Sequence, residues 1–380
     1  MPALRLLNTE SQDKADYLHN QLTTDINVPS TYWECAESYL KGVGIYDVFL
    51  IEEQDFRNYK IFLHETGSFT KKQVFERTGF LRNLQKALIR NEYKELLDEI
   101  ERCNTVQERL KGNVRNFLIR QGIHHVREID YRTRELYESE LRRTKTFSKS
   151  LEYLKTLDRI KQFDIRKEME TLSGRNKEQL KYEGQVIFLP YIPDQDIGSD
   201  FDYIQDKSEL VWDFSQKASE NLKRQIFQIL CYALRNIKDS KDRRVRYLLP
   251  LRWMYEFCIE EGIDDIERLE LEQIKKLETI VARKVVNVKN SMQIVDNSRK
   301  ILFMSGKEIH WYANVWYMER FNFAPERVNP SNPVQRLSFY EVTNERNREL
   351  LQEYMKYQVG ISDLALGNIR SQLCLSLIHI

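Results

Sequence analysis

The 380-residue chain is 41% hydrophobic and 31% charged with only 13 Gly and 8 Pro, which excludes a collagen-like or largely disordered polymer and favours several helix-rich modules. Its 59 Lys and Arg nearly cancel 58 Asp and Glu, so any attraction for nucleic acid must come from local basic faces. Cys35, Cys103, Cys231, Cys258 and Cys374 form no Cys-x-x-Cys pair, which argues against zinc or a disulfide frame, and the lack of a signal-like start or long uncharged run leads us to expect a cytoplasmic protein without a membrane span.

In chain order, the first strong signal is an aromatic-rich amphipathic stretch with Tyr39 and Leu40, ending at Gly44-Ile45-Tyr46-Asp47-Val48. The phrase returns after Phe117 and Leu118 as Gly122-Ile123-His124-His125-Val126, and after Tyr255 and Phe257 as Gly262-Ile263-Asp264-Asp265-Ile266. A fourth copy, Gly360-Ile361-Ser362-Asp363-Leu364, follows Tyr354 and Tyr357. Glycine just past a last helical turn supplies left-handed backbone, isoleucine folds back on the helix it ended, and aspartate can cap the next helix. Each copy is predicted to be a helix-turn-helix corner. Their uneven separation excludes a solenoid of fixed period and favours repeated small helical domains.

Three corners lead into acidic amphipathic helices: Glu52 to Phe56 with Tyr59 and Leu63, Ile129 to Tyr131 with Leu136, and Leu269 to Ile274 with Leu277. Apolar spacings of three and four give each one buried face. After the first, Gly67-Ser68-Phe69-Thr70-Lys71-Lys72 opens a basic amphipathic helix through Phe75, Arg77, Phe80, Leu81, Leu84 and Leu88. After the second, Thr144-Lys145-Thr146-Phe147-Ser148-Lys149 opens Leu151, Leu154, Leu157 and Ile160 in the same way. A first helical module is thus set at residues 1–95 and a second at 96–180.

Residues 181–208 hold Val186-Ile187-Phe188-Leu189-Pro190-Tyr191-Ile192-Pro193, then Asp194, Asp196, Gly198, Asp200 and Asp202. Two prolines and an acidic run cannot continue a helix, so an irregular acidic linker is expected, whose short apolar run could dock on a neighbour. The third module, 209–335, is clearest late, where Arg299-Lys300-Ile301-Leu302-Phe303 begins a helix. Trp311, Trp316, Tyr317, Phe321 and Phe323, at helical spacing, fit a core stripe, with a base-stacking surface as the alternative. A break comes next at Pro325 to Pro333. Residues 336–374 restart a helical pattern that stops before it could close a domain, so Ser338 to Ile380 should exchange amide hydrogens readily. Leu375-Ser376-Leu377-Ile378-His379-Ile380 back-translates as CTG-TCT-CTT-ATA-CAC-ATC, which looks like a transposome adapter from sequencing libraries. Residues 375–380 are therefore read as an artefact of a truncated frame, with an ordinary apolar terminus as the other reading.

The order of helix, Gly-Ile, acidic helix, Ser/Thr-rich turn and basic helix resembles the core-binding, or SAM-like, domain of tyrosine recombinases (phage-type integrases). Asn329-Pro330 and Asn332-Pro333 late in the third module add to the likeness. The resemblance implies an all-α chain of tandem core-binding modules, two before the acidic linker, a third after it and an incomplete fourth. It also implies double-stranded DNA as partner, a role in site-specific DNA integration and recombination of a mobile element, self-association on DNA in the full-length protein, and no metal or nucleotide cofactor. Catalysis in the family needs Arg, Lys, a second Arg preceded by His, a further His or Trp, and a Tyr nucleophile, the cations stabilising phosphate charge. No residue here is assigned to that set. His124-His125-Val126-Arg127 has the form His-x-x-Arg but belongs to a corner, so the chain is expected to be a non-catalytic front part.

Four basic clusters are candidate DNA faces: Lys71, Lys72, Arg77, Arg82 and Lys86; Arg142, Arg143, Lys145 and Lys149; Lys241, Arg243, Arg244 and Arg246; and Arg283, Lys284, Lys289, Arg299 and Lys300. Helical cations with Ser or Thr at the helix start suit phosphate contacts, an ordinary solvated face being the alternative for each. The DNA-binding set drawn from them is Lys71, Lys72, Arg77, Arg82, Lys145, Lys149, Arg243, Arg244, Arg246, Arg299 and Lys300. Rival functions are a helical protein-interaction scaffold, favoured by the near-zero charge, and a helix-turn-helix transcriptional regulator. Sequencing from an independent library should find the frame continuing past Gln372 for on the order of 200 to 300 residues, with an Arg early, a His-x-x-Arg later and a Tyr near the end. A genomic stop codon directly after Ile380 would favour the scaffold or the regulator.

Overall fold

The computed structural model describes residues 13–24, 28–67, 69–171, 182, 185–192 and 198–379. The fold is all-α, with two short two-stranded antiparallel sheets among the described residues, and the chain divides into units Met1–Glu178 and Gln179–Ile380. In the first unit, α1 (described over 13–22), α2 (Ser30–Gly42), α3 (Glu53–Thr66) and α4 (Lys71–Glu92) enclose Leu18, Leu22, Leu40, Tyr59 and Leu81. The order repeats in α5 (Lys94–Arg102), α6 (Glu108–Arg120), α7 (Tyr131–Thr144) and α8 (Phe147–Met169) around Leu96, Ile100, Leu118, Tyr137 and Leu157. Tyr93 alone separates α4 from α5. Its hydroxyl donates to the Ile119 carbonyl at 3.3 Å, and its ring stacks on His124 with centroids 4.7 Å apart.

Three corners share one geometry. Gly44, Gly122 and Gly262 adopt φ of 76°, 68° and 67°, the left-handed region that side chains rarely enter. The next amide folds back on its helix: Ile45 to Leu40, Ile123 to Leu118 and Ile263 to Cys258, at 2.9, 3.0 and 2.8 Å. Buried Val48, Val126 and Ile266 then open a 3-10 turn. Beyond it the register holds without a gap. The next helix is capped by Glu52, Asp130 or Glu270, eight residues past the glycine (44 to 52, 122 to 130, 262 to 270). Buried Tyr59, Tyr137 and Leu277 lie fifteen past it (44 to 59, 122 to 137, 262 to 277).

Each turn is clamped from two sides. From the first helix of the module, one helix removed from the turn, Gln21 Oε1 accepts the Val48 N–H at 2.9 Å while its amide donates to Asp47 at 2.9 Å. Gln225 does the same for Ile266 and Asp265 at 2.8 and 2.7 Å. In the second module Glu99 accepts the Val126 N–H at 2.7 Å and lies 3.2 Å from His125 Nδ1. From the long last helix of the module, Gln85 donates to the Val48 and Ile51 carbonyls at 2.9 and 2.8 Å, and Lys161 to those of Val126 and Arg127 at 3.2 and 2.6 Å. Arg299 does so to Ile266 and Leu269.

The second unit builds its corner from α9 (Glu220–Asn236), a short turn α10 (Ser240–Asp242), a π turn at Arg243–Leu248, α11 (Leu249–Glu260), α12 (Leu271–Ala282) and α13 (Val288–Ser305). The π turn has a local cause: Pro250 has no N–H to offer the Arg246 carbonyl one turn back. The expected linker is instead part of this unit's core where it is described. Val186–Phe188 (β1) pairs antiparallel with Val211–Asp213 (β2), burying Ile187, Phe188, Leu189 and Trp212. Within it Asp200 holds Arg243, and just past its end Glu209 holds Arg244. Lys181, Pro193, Asp194 and Asp196 lie outside the described residues.

Three further expectations are corrected. Arg299 to Phe303 lies inside α13 rather than opening a helix. Trp316 and Tyr317 belong to a strand, Val315–Tyr317 (β3), paired with Arg336–Ser338 (β4), and the aromatic run is core with strand rather than helical placement. Residues 336–374 are no unpartnered fragment. α14 (Glu345–Gly360) and α15 (Leu366–His379) bury Leu351, Met355, Val359, Ile369 and Leu373 against Trp316 and Phe339. Gly360 does not make the fourth corner: φ is not positive there, and Ile361 is 71% exposed. Instead the Arg327 guanidinium takes the carbonyls of Gln358, Val359 and Leu364 at 3.0 to 3.1 Å, satisfying the helix end without a glycine turn.

Replacing Gln225 by Met should cost the second unit about 2 kcal/mol, because a buried Ile266 N–H loses its acceptor. Glu99→Gln should cost the first unit less than Glu99→Met, since the amide can still accept from Val126. Urea titration of each variant checks both; equal losses for Glu99→Gln and Glu99→Met would show that the hydrogen bond to the Val126 N–H carries no stability.

Candidate nucleic-acid interface

The long helices α4 and α8 have a second job besides clamping. Counting forward from their N-caps, Thr70 and Thr146, the clamp residues Gln85 and Lys161 sit at the same step (70 to 85, 146 to 161). The register of the clamp therefore also fixes how each helix start meets solvent. Thr70 Oγ1 accepts the Gln73 backbone N–H at 3.3 Å, and the Thr70 backbone N–H donates in return to Gln73 Oε1 at 2.9 Å. Around that start Lys71 and Lys72 are exposed, and Phe75 is 72% exposed. At the start of α8, Lys145 and Lys149 are exposed beside Phe147, which is 74% exposed. The third module departs from that register, its cap Asn287 and clamp Arg299 being closer together (287 to 299), though Asn287 caps Asn290 at 3.2 Å and Val286 and Lys289 lie in solvent.

Helix starts leave N–H groups unpaired and carry the positive end of the helix dipole, so lysines there add to an existing attraction for anions. Lys72 lies 3.9 Å from Glu76, while Lys71, Lys145 and Lys149 have no acidic partner within ion-pair distance among the described residues. Ser68, beside the first start, is outside the described residues.

The other predicted DNA contacts are placed differently. Arg77 is buried between the rings of Tyr32 and Phe69, 4.8 and 4.2 Å from their centroids, so it packs α4 rather than facing solvent. Arg243 is buried by its bonds to Asp200 and to the Ile237 carbonyl, both at 2.9 Å. Arg299, 2% exposed, is the third module's clamp. These three are corrections: each guanidinium is consumed by packing or by carbonyls. Arg82 is engaged by Glu53, Arg244 by both oxygens of Glu209, Arg246 by Asp242 and Lys300 by Glu319. His124 stacks on Tyr93 while its backbone N–H donates to Glu128, which leaves the His-x-x-Arg form in a structural corner.

Perturbed acids also cluster at the corners. Burial, with help from Glu99, pushes Asp164 up to about 6. Burial and Asp265 push Glu267 up to about 8, and its carboxylate lies 2.7 Å from His310 Nδ1. Burial lowers His310 in turn. Among the described residues no group of three His, Cys, Asp or Glu could hold a metal, and no helix is long and apolar enough to cross a membrane.

Phe75 and Phe147 are the surface residues that apolar periodicity hides, because a phenylalanine in an amphipathic pattern reads as core. Only the depth of the helix start separates them from Leu81 or Leu157.

No protein-family model, curated protein or solved structure matches the chain.

Arg243→Ala and Arg299→Ala should each lower the melting temperature of the second unit by several degrees, on the order of 2 kcal/mol for a buried hydrogen-bonded cation. Lys145→Ala should leave the first unit's melting unchanged within experimental scatter. A thermal scan of the three variants checks this, and a Lys145→Ala loss as large as the others would mean that this lysine is structural.

Proposed function

We propose that this chain binds duplex DNA, as the non-catalytic part of a tyrosine-class recombinase that integrates or recombines a mobile element. The observation that carries the reading is the pair of helix starts, Thr70 and Thr146, each the same number of steps before its clamp residue. The first has exposed Lys71 and Lys72 ahead of exposed Phe75, and the second has exposed Lys145 and Lys149 on either side of exposed Phe147. Cations at a helix start hold backbone phosphates, and an exposed aromatic can lie against groove edges. The resemblance of the modules to core-binding domains supports the same partner. In this reading the cleaving tyrosine belongs to the full-length parent, and copies of the parent associate on paired DNA sites.

The scaffold alternative uses the same phenylalanines against protein, and salt separates the two. Duplex affinity measured by fluorescence anisotropy should fall steeply with salt, and replacing Lys71, Lys72, Lys145 and Lys149 by Gln should reduce the slope of log K against log salt by roughly 0.9 for each phosphate that is no longer neutralised. The chain should neither nick nor relax supercoiled plasmid. Affinity that is absent or insensitive to salt would sink the DNA reading, and covalent protein-DNA adducts would sink the non-catalytic one.

A further inference from the structure

The second module clamps its turn through a carboxylate and an imidazole, where the first and third use a glutamine amide. Glu99 accepts the Val126 N–H through one carboxylate oxygen at 2.7 Å, and its other oxygen lies 3.2 Å from His125 Nδ1. On the far edge of the same ring, His125 Nε2 lies 3.1 Å from Glu95. Two such contacts need two protons between them, and a neutral imidazole carries one. Without a second proton, one ring nitrogen turns a lone pair toward a carboxylate. The bridge from Glu95 through His125 to Glu99 is therefore attractive at both ends only while it holds one proton more than a neutral ring beside two carboxylates.

The charged groups facing this bridge come from three elements: Glu95 and Glu99 on α5, Lys161, Asp164 and Glu168 on α8, and Arg127 in the turn itself. Lys161 donates to the Val126 and Arg127 carbonyls, and Glu128 is turned to the His124 N–H at 3.0 Å. Asp164 responds to acid in the same sense as the bridge. Burial first, and Glu99 next, push its carboxyl up to about 6. Proton uptake there relieves both, so its contribution to stability is present below the ordinary aspartate range and is lost as pH rises through about 6.

The repeats supply an internal control. Counting from Gly44 and Gly122, Glu95, Glu99 and His125 become Tyr17, Gln21 and Asp47; counting from Thr70 and Thr146, Asp164 becomes Leu88. In the first module one neutral amide both accepts from Val48 and donates to Asp47, so its clamp needs no extra proton.

We propose that the second module's corner is a proton-operated latch. With its proton, the His125 ring ties Glu99 to Glu95 and keeps Glu99 on the Val126 N–H; as pH rises the ring lets go of one carboxylate, and this turn opens more often while the first module's stays shut. The latch sets how firmly α8 is held at its corner and does not depend on what α8 binds.

The test is hydrogen exchange of the full chain at single-amide resolution between about pH 5 and pH 8, the range in which an imidazole titrates, each rate being divided by that of the same amide in an unstructured peptide. Protection of the Val126 N–H should fall about tenfold across that range, the worth of one charge-assisted hydrogen bond, while that of the Val48 N–H holds. Glu99→Gln, His125→Asp and Asp164→Leu together install the first module's residues, so Val126 should stay protected and its profile should flatten. Asp164→Asn alone should remove only the part of the fall centred near pH 6. A flat profile in the parent, or a fall that survives the triple replacement, overturns the latch. Should the triple variant fail to fold, nitrogen-15 shifts of the His125 ring in the parent decide: two ring protons at about pH 5 and one at about pH 8 support the latch, and an unchanged proton count across the range refutes it.

Discussion

A helical corner that turns through the core must bury peptide groups, and a buried N–H or C=O without a partner costs more than most side-chain contacts return. Here the cost falls on one short 3-10 turn in each module. Its N–H is met by a side chain from the module's first helix, and its carbonyls by a side chain from the module's last. Two helices far apart in sequence are thereby referenced to the same peptide. The direction of the long helix, and so the place where Lys71 or Lys149 meets solvent, descends from that shared reference rather than from the lysines' own surroundings.

The clamp tolerates chemical exchange so long as donors and acceptors stay matched. In the first and third modules the amide of Gln21 or Gln225 both accepts from the backbone and donates to an aspartate. In the second, Glu99 can only accept, and the donor has moved to the other partner, His125. On the far side the donor strengthens from the neutral amide of Gln85 to the cations Lys161 and Arg299. The carbonyl oxygens of Ile266 and Leu269 take up N–H groups of the Arg299 guanidinium, which offsets part of the cost of burying it at 2% exposure.

Much of the all-α plan was legible because a glycine followed by isoleucine has few uses other than a left-handed helix end. Gly44, Gly122 and Gly262 show it, and the acidic helices after them keep their buried steps. Gly360 carries the same letters yet ends its helix differently, because a distant arginine, Arg327, satisfies the carbonyls first. Long-range competition of that kind leaves no local mark. The acidic stretch misled for a related reason: composition displays Asp200 but not Arg243, which folds back to meet it. At the candidate interface, lysines at capped helix starts were readable. Which arginines are consumed by the interior was not, since a guanidinium stem packs as readily as it reaches for solvent.

Tyr93 leaves the first two modules joined by a single residue that closes one helix and starts the next, pinned by the Ile119 carbonyl and the His124 ring. One residue inserted or deleted in a helix swings everything beyond it by roughly 100°. Divergence along this segment is therefore constrained in length far more than in composition. Relatives of this chain could exchange nearly every exposed residue of α4 and α5 and still hold the two helix starts in the same relation, whereas a single in-frame codon gained beside Tyr93 would turn them onto different faces.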